Sequence, residues 1–293
     1  MIGTYGTPPA PPTSYARIAA RQFLRHRPAA AGMIVIGVVL LTACFATSLA
    51  PYSTTSISLG HQLQWPSRSH WLGTDELGRD LLSRIIVGSR ETLFITIGAV
   101  ALALPIGALA GLAAGYFGRA VDAVLSRVLD ILMALPGFLL AIGIIAALGV
   151  GTTNVMIAVG MYSIPAFARV ARGSTLVVKA EEYTLAATAM GAGPGRIMLR
   201  HVAPNIVPPL IVQTTLLLAT AMLTASSLSF LGLGPQPPTP EWGAMLSTAR
   251  NFITSAPLLI TFPGLAILVV AVSFNLMGDG LRDALDPRLK RSG

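Results

Sequence analysis

The side chains best suited to acid–base, nucleophilic or metal chemistry are few in this chain and poorly spaced for it. Four histidines, His26, His61, His70 and His201, stand far apart, and the single cysteine, Cys44, lies inside an apolar run. Zinc sites take their ligands at short fixed spacings, which these residues lack. One cysteine closes no disulfide within a chain, so Cys44 reads as a small core hydrophobe. No G-x-x-x-x-G-K-[ST] cradle for nucleotide phosphates is present, nor H-E-x-x-H, C-x-x-C or G-x-S-x-G. Gly191-x-Gly193 with Gly195 is a turn, since no βαβ unit surrounds it. The expectation is a non-catalytic chain with no cofactor and no metal of its own.

The residues that stand out do mechanical work instead. Glu181–Asn205, EEYTLAATAMGAGPGRIMLRHVAPN, is a polar, basic, turn-containing island between two long apolar runs. Glu181 and Glu182 suit the start of a short helix, where negative charge complements the helix dipole. Ala186 and Ala187 are small enough for that helix to pack closely. Gly191 and Gly193-Pro194-Gly195 end it. Arg196 and Arg200 then fall on a second short basic helix before Pro204. Two short helices at an angle, anchored on both sides by spans, make a rigid lever.

The elements that must hold this lever are membrane helices. Of 293 residues, 53% are hydrophobic and only 11% charged, with a mean hydropathy of +0.70. Soluble domains carry about 25% charged residues, so the chain falls in the membrane class. The net charge of +8 is spread between apolar runs rather than gathered in a patch, which argues against nucleic acid as a partner. A span needs about 20 mostly apolar residues. Six segments meet this: 29–49, 92–116, 128–148, 153–170, 206–231 and 258–277. The fourth is the weakest, interrupted by Tyr162, Ser163 and Pro165, and a kinked or re-entrant span is expected there. The first run follows Arg17, Arg21, Arg25 and Arg27 and ends Ser48-Leu49-Ala50. It resembles a secretory signal but is too long for a signal core, and an uncleaved span is expected.

With the N-terminus inside, 15 of the 20 basic residues fall on inner segments and 5 on outer ones. That bias favours both termini in the cytoplasm. The acidic residues split 7 and 5, so the asymmetry belongs to Lys and Arg. The chain then divides into a cytoplasmic tail 1–28, a first span 29–50, an extracytoplasmic loop 51–91, a transmembrane core 92–278 holding the lever loop 173–205, and a cytoplasmic tail 279–293. In the outer loop, Leu77, Leu81 and Ile85 have helical spacing, and Glu76/Arg79 and Asp80/Arg84 would pair along the same amphipathic helix at the interface. Gly107, Gly111 and Gly115 make a smooth face for another helix. Thr220, Thr224, Ser227 and Asn275 are candidates for a polar translocation path. Asp130, near the cytoplasmic end of its span, is the one carboxylate inside these segments, whereas ion-coupled carriers need ionisable groups at mid-depth. The driving energy is expected from another chain, which disfavours a secondary carrier.

The order A-A-x-x-x-G at Ala186–Gly191, followed by Pro204, resembles the coupling motif of permease subunits in binding-protein-dependent ABC importers. Four blocks narrow the resemblance to the C-type subunit of the dipeptide/oligopeptide permease family: HWLGTDELGRDLLS at 70–83, 182–205, SFLGLGPQPP at 229–238 followed by Trp242-Gly243, and GDGLRDALDP at 278–287. The resemblance runs from about Arg17 to the end. Leu185 stands where many importers have Glu, and His201 and Ala203 replace apolar residues, so no salt bridge from position 185 is expected. The resemblance implies an all-α polytopic membrane protein of the type I ABC importer permease fold, with six transmembrane helices and a cytoplasmic coupling-helix loop, in a prokaryotic plasma (inner) membrane. It implies a second permease subunit as heterodimer partner, two ATPase subunits that bind ATP and Mg, and an extracytoplasmic substrate-binding protein. ATPase coupling would fall to Glu181, Glu182, Ala186, Ala187, Gly191, Arg196, Arg200 and Pro204. The implied cargo is a di- or oligopeptide, with nickel, haem, glutathione or opine-like compounds as rivals.

Overall fold

The computed structural model describes residues 22–285. Residues 1–21 and 286–293 of the two expected tails, with Arg17, Arg21, Arg288, Lys290 and Arg291, lie outside the described residues. The described chain is helical, with one isolated bridge between Thr74 and Asp80. Its helices are α1 Arg27–Cys44, α2 Ala46–Leu49, α3 Leu81–Phe117, α4 Arg119–Ala134, α5 Gly137–Leu148, α6 Thr152–Lys179, α7 Glu182–Ala189, α8 Pro194–Ile197, α9 Ala203–Phe230, α10 Trp242–Ala249 and α11 Leu258–Leu285.

The central seam is α3 against α6. A Cβ on Gly107 would lie 2.6 Å from the Ile164 carbonyl oxygen and 2.6 Å from Phe167 Cβ. One on Gly111 would lie 2.7 Å from Ala171 Cβ, and one on Gly115 2.7 Å from Thr175 Cβ. Real Cβ atoms essentially never come that close, so only glycine permits this approach. Gly160 returns the favour on α6, where a Cβ would meet the Ala99 carbonyl oxygen at 3.0 Å.

The register of that seam runs upward on both helices, from Ala99 beside Gly160 to Gly115 beside Thr175. The helices α3 and α6 are therefore parallel. The chain between them must return the full length of the seam, so α4 and α5 together form one crossing. They meet at a bend of 87°. The cause is Pro136: a residue before proline is driven out of the α region, and Leu135 is extended at φ −98°, ψ 142°. At 1.5 Å per residue the 12 residues of α5 reach only about 18 Å, short of a 30 Å hydrocarbon layer. With the bent pair counted as one span there are six.

The break thus falls in the third span, not the fourth. The fourth, α6, is continuous through a buried Pro165. Its residues Gly160, Ser163, Ala168, Ala171 and Thr175 look weakly apolar because they face protein rather than lipid, and all are buried. Cys44, expected in the core, is exposed on α1.

Antiparallel packing completes the bundle. Ala29 of α1 meets Gly280 of α11, Gly32 meets Ser273, and Gly278 of α11 meets Thr215 of α9. One core joins α3, α4, α5, α6 and α9; a second joins α1, α3, α9, α10 and α11. Both ends of the described chain lie at the same end of the bundle as α7. The loop 51–80 and α10 lie at the other.

Candidate functional site

At the α7 end, α6 leaves the bundle at Lys179 and turns through Ala180 into α7. Glu181 occupies the N-cap position of α7 without a side-chain capping bond, and Glu182 opens the first turn. Thr184 Oγ1 donates to the Val178 carbonyl at 2.9 Å, and Ala187 is buried. These two residues seat α7 on the bundle. Gly191, at φ 82°, turns the chain back, and the Ala192 N–H donates to the Ala187 carbonyl at 3.1 Å. Glu181, Glu182, Ala186, Gly191, Arg196, Arg200 and Pro204 are all exposed around it.

The second short helix of the expected lever is not separate. From Pro194 through a wide π turn at Met198–Val202 the chain runs into α9, a continuous helix to Phe230. The Ala203 N–H reaches back five residues to the Met198 carbonyl. Pro204 has no N–H to give the ladder, and the π turn just before it accommodates it within the first turn of α9. The lever is one short helix docked beside a long one.

Sequence reasoning passed over the residues that give α7 its outward character. Tyr183 (45% exposed), Leu185 (57%), Met190 (82%) and Leu199 (68%) are large apolar side chains turned away from the bundle. Leu185, noted only for the charge it lacks, is itself one of the protruding apolar groups. A run of exposed apolar residues inside a polar loop was the available signal.

Two cavities open into the bundle. The larger, about 890 Å³, lies between α9 and α11 with Pro204, Asn205, Pro208 and Arg282 on its walls. The smaller, about 450 Å³, lies in the elbow of the broken span, lined by Pro136, Gly137, Tyr162, Pro165, Arg169 and others. Gln213 of α9 lines both. Two ion pairs hold α4 to α6 below the elbow. Arg172 donates two 2.6 Å bonds to Asp122, and Arg169 stands 3.9 Å from Asp130. Thr220, Thr224, Ser227 and Asn275 line neither cavity. Thr220 and Ser227 are exposed, but their hydroxyls bond back to the carbonyls of Leu216 and Leu223 on their own helix.

At the opposite end the outer loop is built on buried charge. The Asp75 carboxylate accepts from the N–H groups of Leu77 and Arg79 and from Arg79 Nε at 2.7 Å, with Arg84 Nε at 3.3 Å. Asp80 caps α3 through Ser83 and holds His70 Nδ1 at 2.9 Å. This corrects the expected interface helix. Glu76 does pair with Arg79 at 3.0 Å, but before any helix begins, and Arg84 turns to Asp75 rather than Asp80. The helix starts only at Leu81 because Asp75 and Asp80 spend their oxygens on a tight turn, with Gly78 at φ 74°.

A buried acid also lies where none was expected. Glu241 is 1% exposed. Its carboxylate accepts from the N–H groups of Gly243 at 2.9 Å and Ala244 at 2.8 Å, and from Thr92 Oγ1 at 3.2 Å. Burial pushes its pKa above the usual glutamate range, opposed by these donors. Trp242 donates its indole N–H to the Ile85 carbonyl at 2.9 Å. Glu241 and Trp242 therefore clamp α10 to α3. The signal was an acid directly before Trp-Gly-Ala, the position of a helix N-cap. Among the described residues no group of three metal-ligating side chains comes together.

Residues 103–291 match the family described as binding-protein-dependent transport system inner membrane component, and residues 14–66 match the N-terminal transmembrane domain of oligopeptide transport permease C. The chain is 46% identical to the dipeptide transport system permease protein DppC of Alkalihalophilus pseudofirmus, over 94% of this chain and 90% of that one. It is also 46% identical to the glutathione transport system permease protein GsiD of Pectobacterium atrosepticum, over 92% and 90%. In fold it resembles the MetNI methionine ABC transporter in inward-facing conformations, at TM-score 0.58 and 18% identity, over 70% of this chain and 98% of that one.

Proposed function

The chain belongs to the binding-protein-dependent transport system inner membrane components, as a permease of an ABC importer, and from that premise we propose that its cargo is a di- or oligopeptide. The permease DppC is named for dipeptides, and the matching N-terminal domain for oligopeptide transport. Glutathione, itself a small peptide, is the second reading, favoured by the equal identity to GsiD.

In this reading the chain pairs with a second, different permease. The helix α7 docks into a groove on one of two ATPase subunits, which bind ATP and Mg and carry out the hydrolysis. The observation that carries this is the exposed apolar group of Tyr183, Leu185 and Met190 on a helix clasped between two spans. Glu181, Glu182, Ala186, Gly191, Arg196, Arg200 and Pro204 surround it, and Ala187 roots it. Both termini face the cytoplasm, in keeping with the 15:5 split of basic residues, and the protein crosses the inner membrane six times. The loop 51–80 then faces the extracytoplasmic binding protein. Gly107, Gly111 and Gly115 let α3 follow α6, so that a push on α7 reaches the far end of the bundle.

The test is reconstitution of the complete complex with its binding protein in liposomes. Peptide-stimulated ATP hydrolysis and peptide uptake are expected. Gly191→Pro, at a φ that proline does not adopt, should abolish uptake while the complex still assembles. Uptake at the wild-type rate would refute the lever.

A further inference from the structure

Gln213 and Tyr162 carry polar side-chain atoms that the bundle leaves without a partner among the described residues. Tyr162 sits ten residues into α6 and Gln213 ten residues into α9, each about 15 Å of helix from the nearer end. Among the described residues neither side chain enters a hydrogen bond. That is unlike the neighbouring Ser163 and Thr214, whose hydroxyls bond back to their own helices. Polar side chains at membrane depth are expensive unless paired and mark functional positions. Both line the 450 Å³ cavity in the elbow of the broken span. The elbow exists because Leu135 is extended before Pro136, and the Tyr162 ring occupies the space over Gly137 that a side chain would fill.

We propose that this elbow cavity is a binding site for the backbone of the transported peptide. The inference rests on the peptide-import reading and deepens it. A carboxamide offers one acceptor and two donors and a phenol one of each, which is the complement of a peptide group. Neither carries charge, so neither selects among side chains. Arg169, on the wall of the same cavity, pairs with Asp130 only at 3.9 Å and with both side chains exposed, a weak pair that a terminal carboxylate can displace. The remaining walls, Leu132, Met133, Pro136, Pro165 and Ala166 among them, are apolar, and Met133 is adaptable. The volume falls within the range of small-ligand pockets. The larger cavity shares Gln213 as a wall and lies on the α7 side, where Pro204, Asn205 and Arg282 line it.

The test uses the complete complex in proteoliposomes with radiolabelled dialanine and dialanine amide. Gln213→Leu and Tyr162→Phe each delete hydrogen-bonding atoms at nearly constant volume. Each is expected to lower peptide imported per ATP hydrolysed by about five- to tenfold, the effect of one lost hydrogen bond. Arg169→Gln should erase the preference for dialanine over its amide. Import per ATP within twofold of wild type in both the Gln213 and Tyr162 variants would overturn the site while leaving the import reading standing. A wild-type complex that imports no peptide removes the reading, and the site with it. If Gln213→Leu does not assemble, Gln213→Cys in a Cys44→Ser background decides. The introduced thiol should react with a water-soluble methanethiosulfonate and be protected by dialanine. No reaction in any nucleotide state would place position 213 against lipid or a partner helix and refute the proposal.

Discussion

Replacing Gly107 by alanine tests whether the α3–α6 seam is held by atomic contact. The new Cβ would sit 2.6 Å from both the Ile164 carbonyl oxygen and Phe167 Cβ, and 3.1 Å from Ala168 N. Ordinary contact begins at about 3.4 Å, so the helices must part by about 0.8 Å at this level. Two of the obstructing atoms are backbone and the third is the stem of a buried Phe, so no side chain can swing aside. Overpacking of this kind costs about 1–3 kcal/mol. A gap of 0.5–1 Å also forfeits a quarter to a half of the dispersion attraction across it. Against this, alanine regains about 0.5–1 kcal/mol of helix propensity. The net expectation is a loss of about 1–2 kcal/mol. Gly173 on α6 is the control: a Cβ there meets nothing within 4 Å, so Gly173→Ala should be neutral or stabilising. Both are read by thermal unfolding of the purified chain in detergent. Equal midpoints for the two variants would refute the close-packed seam.

Glu241, with its pKa raised by burial, binds its proton more tightly in the folded than in the unfolded chain. Its contribution is complete below the usual glutamate value of 4.5 and is lost as pH rises through the folded value. Glu241→Gln should therefore gain on wild type in melting temperature as pH is raised from 4.5 to 8, and a constant difference would exclude that account. Asp75→Ala leaves Arg79 and Arg84 buried without their carboxylate and should destabilise the outer loop by about 3–5 kcal/mol. Hydrogen exchange should speed up across residues 58–80, and unchanged protection there would count against the buried network. Leu185→Asp places charge on the exposed apolar face of α7 and should weaken ATPase docking about tenfold or more. Co-purification with the ATPase subunits measures it, and wild-type recovery would dismiss the apolar contact.

The number of crossings was legible because apolar length is a one-dimensional property: 29–49, 206–231 and 258–277 each lie within or alongside the helices found. Where a span breaks was not. Tyr162, Ser163 and Pro165 drew attention to the fourth crossing, yet α6 is continuous and the break comes at Leu135–Pro136. Sequence hydropathy cannot separate a helix weakened by polar residues from one whose small polar residues are packed against α3. The segment 75–85 misled for a related reason. Its charges have helical spacing, but Asp75 and Asp80 gain more from backbone N–H groups in a turn than from partners along a helix.

By itself the sequence determined the class of molecule, the number of crossings, the position of the polar loop between α6 and α9 and the absence of recognised chemical motifs. Each follows from composition and order along one strand of chain. Only the tertiary structure decided that α3 and α6 run parallel, that α7 is seated on the bundle with Tyr183, Leu185 and Met190 outward, and that Glu241 is buried between Thr92 and the start of α10. It also brought Tyr162 and Gln213, 51 positions apart, to the wall of one cavity. Whether a polar side chain is spent on its own helix or left facing a cavity depends on which helix lies beside it. That is set by the fit of surfaces such as Gly107 against Phe167, a property of pairs of helices that neither sequence segment carries alone.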